Sequence, residues 1–243
     1  MRIATWNLES RVNPWPERDS AFRTAMSEVD ADIWVLTETW IDYAPSVGFQ
    51  LVAQTFGAKD LLYSANATKR CWVSIWAKST LASTPQTVTH QPDRMASCRI
   101  HLPDHRDLVV VGTVLPWGSS DALWPATDGY CAALNDQAVG WNLLRTGVAP
   151  CDFVVAGDFN VHFTYKPSYG RKPERTLSEV LASQELQCLT LGNVPQTEKA
   201  AIDHFCMSRS SIQTRTPRVG TWPIPTSMGK PITDHHGVFA DLI

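Results

Sequence analysis

From end to end, this chain is divided into short apolar runs that stop on an acid or an amide. Ile3-Ala4-Thr5-Trp6 stops at Asn7, and Ile33-Trp34-Val35-Leu36-Thr37 stops at Glu38. Phe153-Val154-Val155-Ala156-Gly157 meets Asp158 and, two residues on, Asn160. Ile202-Asp203-His204-Phe205 carries its acid within the run, and Asp234-His235-His236 stands just before Gly237-Val238. Apolar runs this short, bounded by turn residues, read as strands. Strand ends are where loops present side chains to a cleft. The fold must therefore gather strand ends that lie far apart in the chain.

The pattern predicts strands over Arg2–Asn7, Ile33–Thr37, Trp72–Trp76, Ser97–His101, Leu108–Leu115, Phe153–Ala156, Ile202–Met207 and Gly237–Leu242. Leu108–Leu115 is apolar and β-branched throughout, as a buried strand should be. Helices are predicted over Glu17–Glu28, Tyr130–Leu144 and Leu177–Glu185. Pro and Gly clusters place loops at Pro116–Thr127, Tyr165–Pro173 and Pro217–Pro231. Strands interleaved with few helices make an α/β chain with a sheet-on-sheet core flanked by helices. No repeat or linker divides the 243 residues, so one domain over 1–243 is expected.

Composition narrows the class. The hydrophobic fraction of 44% and charged fraction of 19% belong to an ordinary globular protein. A net charge of −3 means that any polyanion must be held by a local patch or by metal. Six cysteines include no C-x-x-C pair, and no leader or membrane-spanning run is visible, so a cytoplasmic monomer with reduced thiols is expected. Cys and His are too widely spread for a structural zinc site. Ten tryptophans read chiefly as packing residues, with those near loops able to stack on nucleobases.

The carboxylates Glu38, Asp158, Asp203 and Asp234, the amides Asn7 and Asn160, and His235 would form a hard-oxygen site if they converge. Alternation sends Asp158 and Asn160 to one face. Such ligands suit Mg²⁺ or Mn²⁺. Of the adjacent histidines, extended chain turns only one into the site. The motifs Thr5-Trp6-Asn7-Leu8, Leu36-Thr37-Glu38-Thr39, Gly157-Asp158-Phe159-Asn160, Ile202-Asp203-His204-Phe205 and Thr233-Asp234-His235-His236-Gly237-Val238 resemble those of the endonuclease/exonuclease/phosphatase superfamily, in the same order. The resemblance implies a four-layered α/β/β/α sandwich with two packed mixed sheets. It implies Glu38 as principal metal ligand with Asn7 beside it, and Asp234 near a second metal position. Asp158 would orient and deprotonate water, Asn160 would hold a phosphate oxygen, and His235 would contact the scissile phosphate with Asp203 fixing its tautomer.

One departure stands out. Relatives carry a catalytic His or Tyr after the strand matching Leu108–Leu115, where this chain has Val114. Thr113 and Trp117 are the nearest polar-capable neighbours, and Tyr169, His162 or His90 are candidates from other loops. Lys166, Arg171, Lys172 and Arg175, interleaved with Tyr165 and Tyr169, read equally as a solvated loop or as a backbone contact for nucleic acid. Candidate substrate contacts are thus Lys166, Tyr169, Arg171, Lys172, Trp117 and His162, whereas Arg94 reads as a surface ion pair. The expectation is a metal-dependent nuclease acting on DNA or RNA. The alternatives are a phosphatase or phosphodiesterase of a small phosphoester such as an inositol phosphate or sphingomyelin, or a weakly active binding module on the same fold.

Overall fold

The computed structural model describes residues 1–9, 16–55, 70–103, 107–116, 127–147, 151–162, 171–191 and 201–243. One sheet contains β1 (Arg2–Asn7), β2 (Ile33–Trp40), β3 (Phe49–Gln54), β4 (Arg70–Lys78), β11 (Arg218–Thr221) and β14 (Val238–Asp241), in the order β11-β14-β1-β2-β4-β3. The other contains β5 (Ser83–Gln86), β6 (Met95–Ile100), β7 (Leu108–Val114), β8 (Asp152–Asp158), β9 (Leu186–Cys188) and β10 (Asp203–Ser208), in the order β5-β6-β7-β8-β10-β9. Both are mixed: β1–β2 and β7–β8 run parallel and the other pairs antiparallel. A separate two-stranded ribbon pairs β12 (Thr226–Ser227) with β13 (Lys230–Pro231).

Alternation along the strands builds four layers. Ile3, Val35, Val73 and Ile75 from one sheet meet Val110, Val154, Ala156 and Phe205 from the other in the central core. The alternate residues Ala4, Trp6, Trp34 and Leu36 face outward onto Phe22 and Met26 of α1 (Pro16–Val29). On the far side, Val109, Val111, Phe153 and Val155 pack on Tyr130, Leu134 and Trp141 of α2 (Thr127–Thr146) and Leu177 and Leu181 of α3 (Arg171–Ser183). Each large apolar side chain sealed this way contributes about 1.5–3 kcal/mol. The expected sandwich of two packed mixed sheets flanked by helices is what forms.

Two glycines set how closely the backbone packs near the strand ends. A Cβ on Gly112 would lie 2.4 Å from Val73 across the core. At Gly157 it would lie 2.0 Å from the Thr113 carbonyl oxygen, with φ at +142°. Gly157→Ala is expected to cost about 3 kcal/mol or more, because the contact is with backbone and cannot swing aside. Thermal unfolding of the variant measures this, and a melting temperature equal to wild type would contradict it.

The differences from expectation have local causes. α3 begins at Arg171, inside the segment expected as a loop. Pro173 falls in the first turn, where its missing N–H costs no helical bond. Part of Pro217–Pro231 is strand, because β11 pairs along β14. The edge strands β5, β9 and β11 lack an apolar run, as edges half in water require. A short helix, α4 (Arg209–Thr214), opens with Ser208 accepting the Ser211 N–H. No helix among the described residues is long and apolar enough to cross a membrane. All six cysteines are free.

Candidate active site

β1 and β8 come from different sheets, and both point their last side chain into the space between the layers. Asn7 and Asp158 share the inward parity of Ile3 and Val154. They meet there, the Asn7 Nδ2 donating to Asp158 Oδ2 at 2.9 Å with both residues buried. Asp203 lies directly opposite Asp158 in the β8–β10 pairing and faces the same way. The Asp203 Oδ2 is 2.6 Å from His235 Nδ1. Because a carboxylate only accepts, His235 Nδ1 carries a proton and Nε2 is turned toward Asp234, 3.5 Å away.

Glu38 arrives by a different device. Alternation places it with Trp34 and Leu36 on the α1 face, away from Asn7. Its φ of 45° breaks that alternation within β2. The carboxylate instead accepts the Asn7 Nδ2 at 3.1 Å, so one amide nitrogen ties Glu38 to Asp158. The Asn7 Oδ1 is occupied by the Glu9 N–H at 2.8 Å. Asn7, expected beside the metal, presents its nitrogen to the acids and ties them together.

Asn160 is placed by a turn, not by alternation, since β8 ends at Asp158 and Asn160 has φ 51°. The Asx-turn and the site are the same structure. Asp158 Oδ1 accepts the Asn160 N–H at 2.8 Å, and Asp158 Oδ2 accepts its side-chain Nδ2 at 3.1 Å. The same Nδ2 donates to the Leu115 carbonyl at 2.8 Å. The last loop is laced to β1: Thr233 Oγ1 donates to the Asn7 carbonyl at 3.0 Å, and Trp6 Nε1 donates to the His235 carbonyl at 3.1 Å.

Charges crowd this pocket. Burial pushes the Asp158 carboxyl up to about 7; the His235 charge opposes that, while Asp203 and Glu38 add to it. Burial works against a charge on His235, yet Asp203, followed by Asp158 and Glu38, pushes the imidazole up to about 11. At neutral pH it is a cation facing acids.

The donor chemistry fits a hard divalent cation. Three acids share the site with a single imidazolium, and the buried Asp203 Oδ1 has no hydrogen-bond partner among the described residues. One ligand atom each from Asp158, Asp203 and His235 lie within 4.8 Å of one another.

Other expected residues are elsewhere. Asp234 is at the rim, its side chain 63% exposed. Val114 pairs with Asp158 and belongs to the inter-sheet core, so the position that carries a histidine or tyrosine in relatives faces inward as valine. Thr113 is no substitute, because it points to the helices and donates to Gln137 Oε1 on α2. His90 is also on that side, 2.8 Å from Asp136. His162 is half-buried just past the Asp158–Asn160 turn. Lys172 is exposed on the first turn of α3. Trp117, Lys166, Tyr169 and the Arg171 side chain lie outside the described residues. Arg94 corrects a surface reading: it is 4% exposed, with its guanidinium 4.2 Å above the Trp72 ring. Its sequence context, Pro92-Asp93-Arg94, gives no sign of burial.

Residues 4–235 match the model of the Endonuclease/Exonuclease/phosphatase family. No curated protein matches the sequence. Among solved structures, the human Nocturnin catalytic domain with bound sulfate superposes with a TM-score of 0.71 at 16% identity, covering 100% of this chain and 94% of that one. An AP endonuclease from Leishmania major gives 0.67 at 16%, covering 98% and 86%. A mannosyl-6-phosphatase from Bacteroides thetaiotaomicron gives 0.65 at 12%, covering 100% and 99%. At these identities the likeness is one of fold.

Proposed function

The chain belongs to the endonuclease/exonuclease/phosphatase family, whose members are hydrolytic phosphoesterases, and from that premise we propose that it is a divalent-metal-dependent phosphodiesterase acting on nucleic acid. The observation that carries the reading is the meeting of Glu38, Asp158 and the Asp203–His235 pair around the Asn7 strut. Neighbours of the same fold include AP endonucleases and a protein complexed with single-strand DNA product.

Asp158 is the base. Asn7 and Asn160 hold both its oxygens. Its raised pKa leaves it basic enough near neutrality to take a proton from an attacking water. His235 is held charged and Nε2-outward to meet a non-bridging phosphoryl oxygen, with Asp203 fixing the ring. Such a preorganised charge stabilises the anionic transition state. Asn160 has its Nδ2 turned to Asp158 and the Leu115 carbonyl, so it orients the base. A divalent cation would be held by Glu38, with Asp234 at the rim, and would neutralise charge developing on the phosphoryl group.

Incubation with plasmid, single-stranded DNA, RNA and a simple aryl phosphodiester, with Mg²⁺, Mn²⁺ or chelator, tests the assignment. Chelator-sensitive cleavage of a nucleic acid is expected. Cleavage of the small ester alone would favour a small-phosphoester enzyme, and binding without cleavage a binding module. Glu38→Gln is expected to raise the Mg²⁺ concentration for half-maximal rate by about 10- to 100-fold. An unchanged metal requirement would remove Glu38 from that role. With Val114 at the position of a proton donor, no residue described around Asp158 and His235 is assigned to protonate the leaving oxygen. Rates on a series of aryl esters should therefore climb steeply as the leaving-group pKa falls, and a flat series would argue for an acid from another loop.

A further inference from the structure

On the helix-facing side of β9 and β10, away from the acids, two cysteines lie side by side. Cys188 and Cys206 are direct partners across the antiparallel β9–β10 pair. Leu189 donates to the Phe205 carbonyl at 2.8 Å, and Arg209 to the Glu185 carbonyl at 2.9 Å. Those rungs put Cys188–Cys206 in the intervening non-hydrogen-bonded register, where facing Cα atoms approach to about 4.5 Å. A disulfide spans Cα separations of roughly 4.4–6.8 Å, so the register admits one. Both side chains belong to the same cluster beneath α3.

Cys188 is reachable from solvent. Cys188 lines a cavity of about 450 Å³ with Ser178, Leu181, Gln187 and Arg209. A further contact orients its sulfur. His204 Nε2 meets the Val161 carbonyl at 2.7 Å, so that nitrogen carries the proton. The other ring nitrogen, Nδ1, lies 2.9 Å from Thr190 Oγ1, which in turn lies 3.3 Å from the Cys188 sulfur.

The geometry points to Cys188 and Cys206 as a peroxide-reactive dithiol that closes to a cross-strand disulfide. Cys188 Sγ attacks one peroxide oxygen; the S–O bond forms as the O–O bond breaks, and the departing oxygen leaves as water with the thiol proton. Cys206 Sγ then attacks the Cys188 sulfur. The S–S bond forms, the S–O bond breaks, and the second oxygen leaves as water with the Cys206 proton. Two thiols are oxidised and one hydroperoxide is reduced. The order of events follows from access: Cys188 lines the cavity, whereas Cys206 is fully buried behind it, so Cys188 meets the peroxide and Cys206 resolves. Hydrogen bonding from Cys206 also lowers the Cys188 thiol.

The test treats the native protein with a small excess of hydrogen peroxide and maps peptides by mass spectrometry. The expected product is a Cys188–Cys206-linked peptide pair, lighter by two hydrogens, formed at least ~10-fold faster than any oxidation of the half-buried Cys151. In Cys206→Ser, Cys188 should stop as a sulfenic acid that dimedone captures, while Cys188→Ser should give no adduct at Cys206. Circular dichroism confirms that each variant is folded. Capture of the intact dithiol by phenylarsine oxide provides a readout that needs no variant. Prior oxidation of Cys151, a different disulfide, or no capture by the arsenical would each overturn the inference.

Discussion

Replacing Asp158 by Asn is expected to lower the hydrolysis rate by about 10⁴-fold while leaving the fold at least as stable at pH 8. The rate falls because an amide cannot take a proton from water. The stability claim follows from linkage. The folded carboxyl is raised from 3.8 to about 7, so the fold disfavours the ionised form, and that cost grows as pH rises between those values. Asn carries no such cost. Its gain is reduced because its own NH₂ must face one of the donors, Asn7 Nδ2 or the Asn160 groups, that the carboxylate accepts. Initial rates and melting curves at pH 8 and pH 4 check both halves. The variant's relative advantage should shrink at the lower pH. A rate within tenfold of wild type, or a clearly lower melting temperature at pH 8, would sink the assignment.

His235→Ala should lower the rate by about 10³-fold, the loss expected when a preorganised positive charge is removed from the transition state. It should also destabilise the protein by about 3 kcal/mol or more, since Asp203 is left as a buried carboxylate without its partner. The pH dependence has a definite sign. His235 is raised from 6.5 to about 11 in the fold. Its contribution to stability is complete below 6.5 and is lost as pH rises toward 11. The gap in melting temperature between wild type and His235→Ala should therefore narrow from pH 6 to pH 10. Adding Asp203→Asn to His235→Ala should change the rate little further, because the two act as a unit. Additive losses would show that Asp203 works independently of the ring.

Much of the fold was legible because buried strands and amphipathic helices need different spacings of apolar residues. Leu108–Leu115 reads as a buried strand and Phe153–Ala156 as a short apolar one, and the structure makes them the central pair of their sheet. The edge strands β5 and β9 were not legible. Ser83-Thr84-Pro85-Gln86 carries no pattern, since half of an edge faces water and pairing comes from the neighbour. Arg94 was misread for a similar reason. Nothing within its own segment signals that Trp72, from the other sheet, will roof its guanidinium.

What the sequence alone determined was the order and chemistry of the motifs, together with the inward parity of Asn7, Asp158 and Asp203, because strand alternation is a local property. Tertiary structure decided what each group does. Alternation by itself would send Glu38 to the α1 face; a φ of 45° and one hydrogen bond to Asn7 bring it to the acids. Asn160 joins the site through a turn closed on Asp158 rather than along a strand. Charge states were likewise beyond the sequence, since the values of about 7 and about 11 arise from burial and from charges distant along the chain, His235, Asp203 and Glu38 around Asp158, and Asp203, Asp158 and Glu38 around His235. Spacing along a strand is set by neighbouring residues, whereas electrostatics acts through space and exists only once the layers have closed.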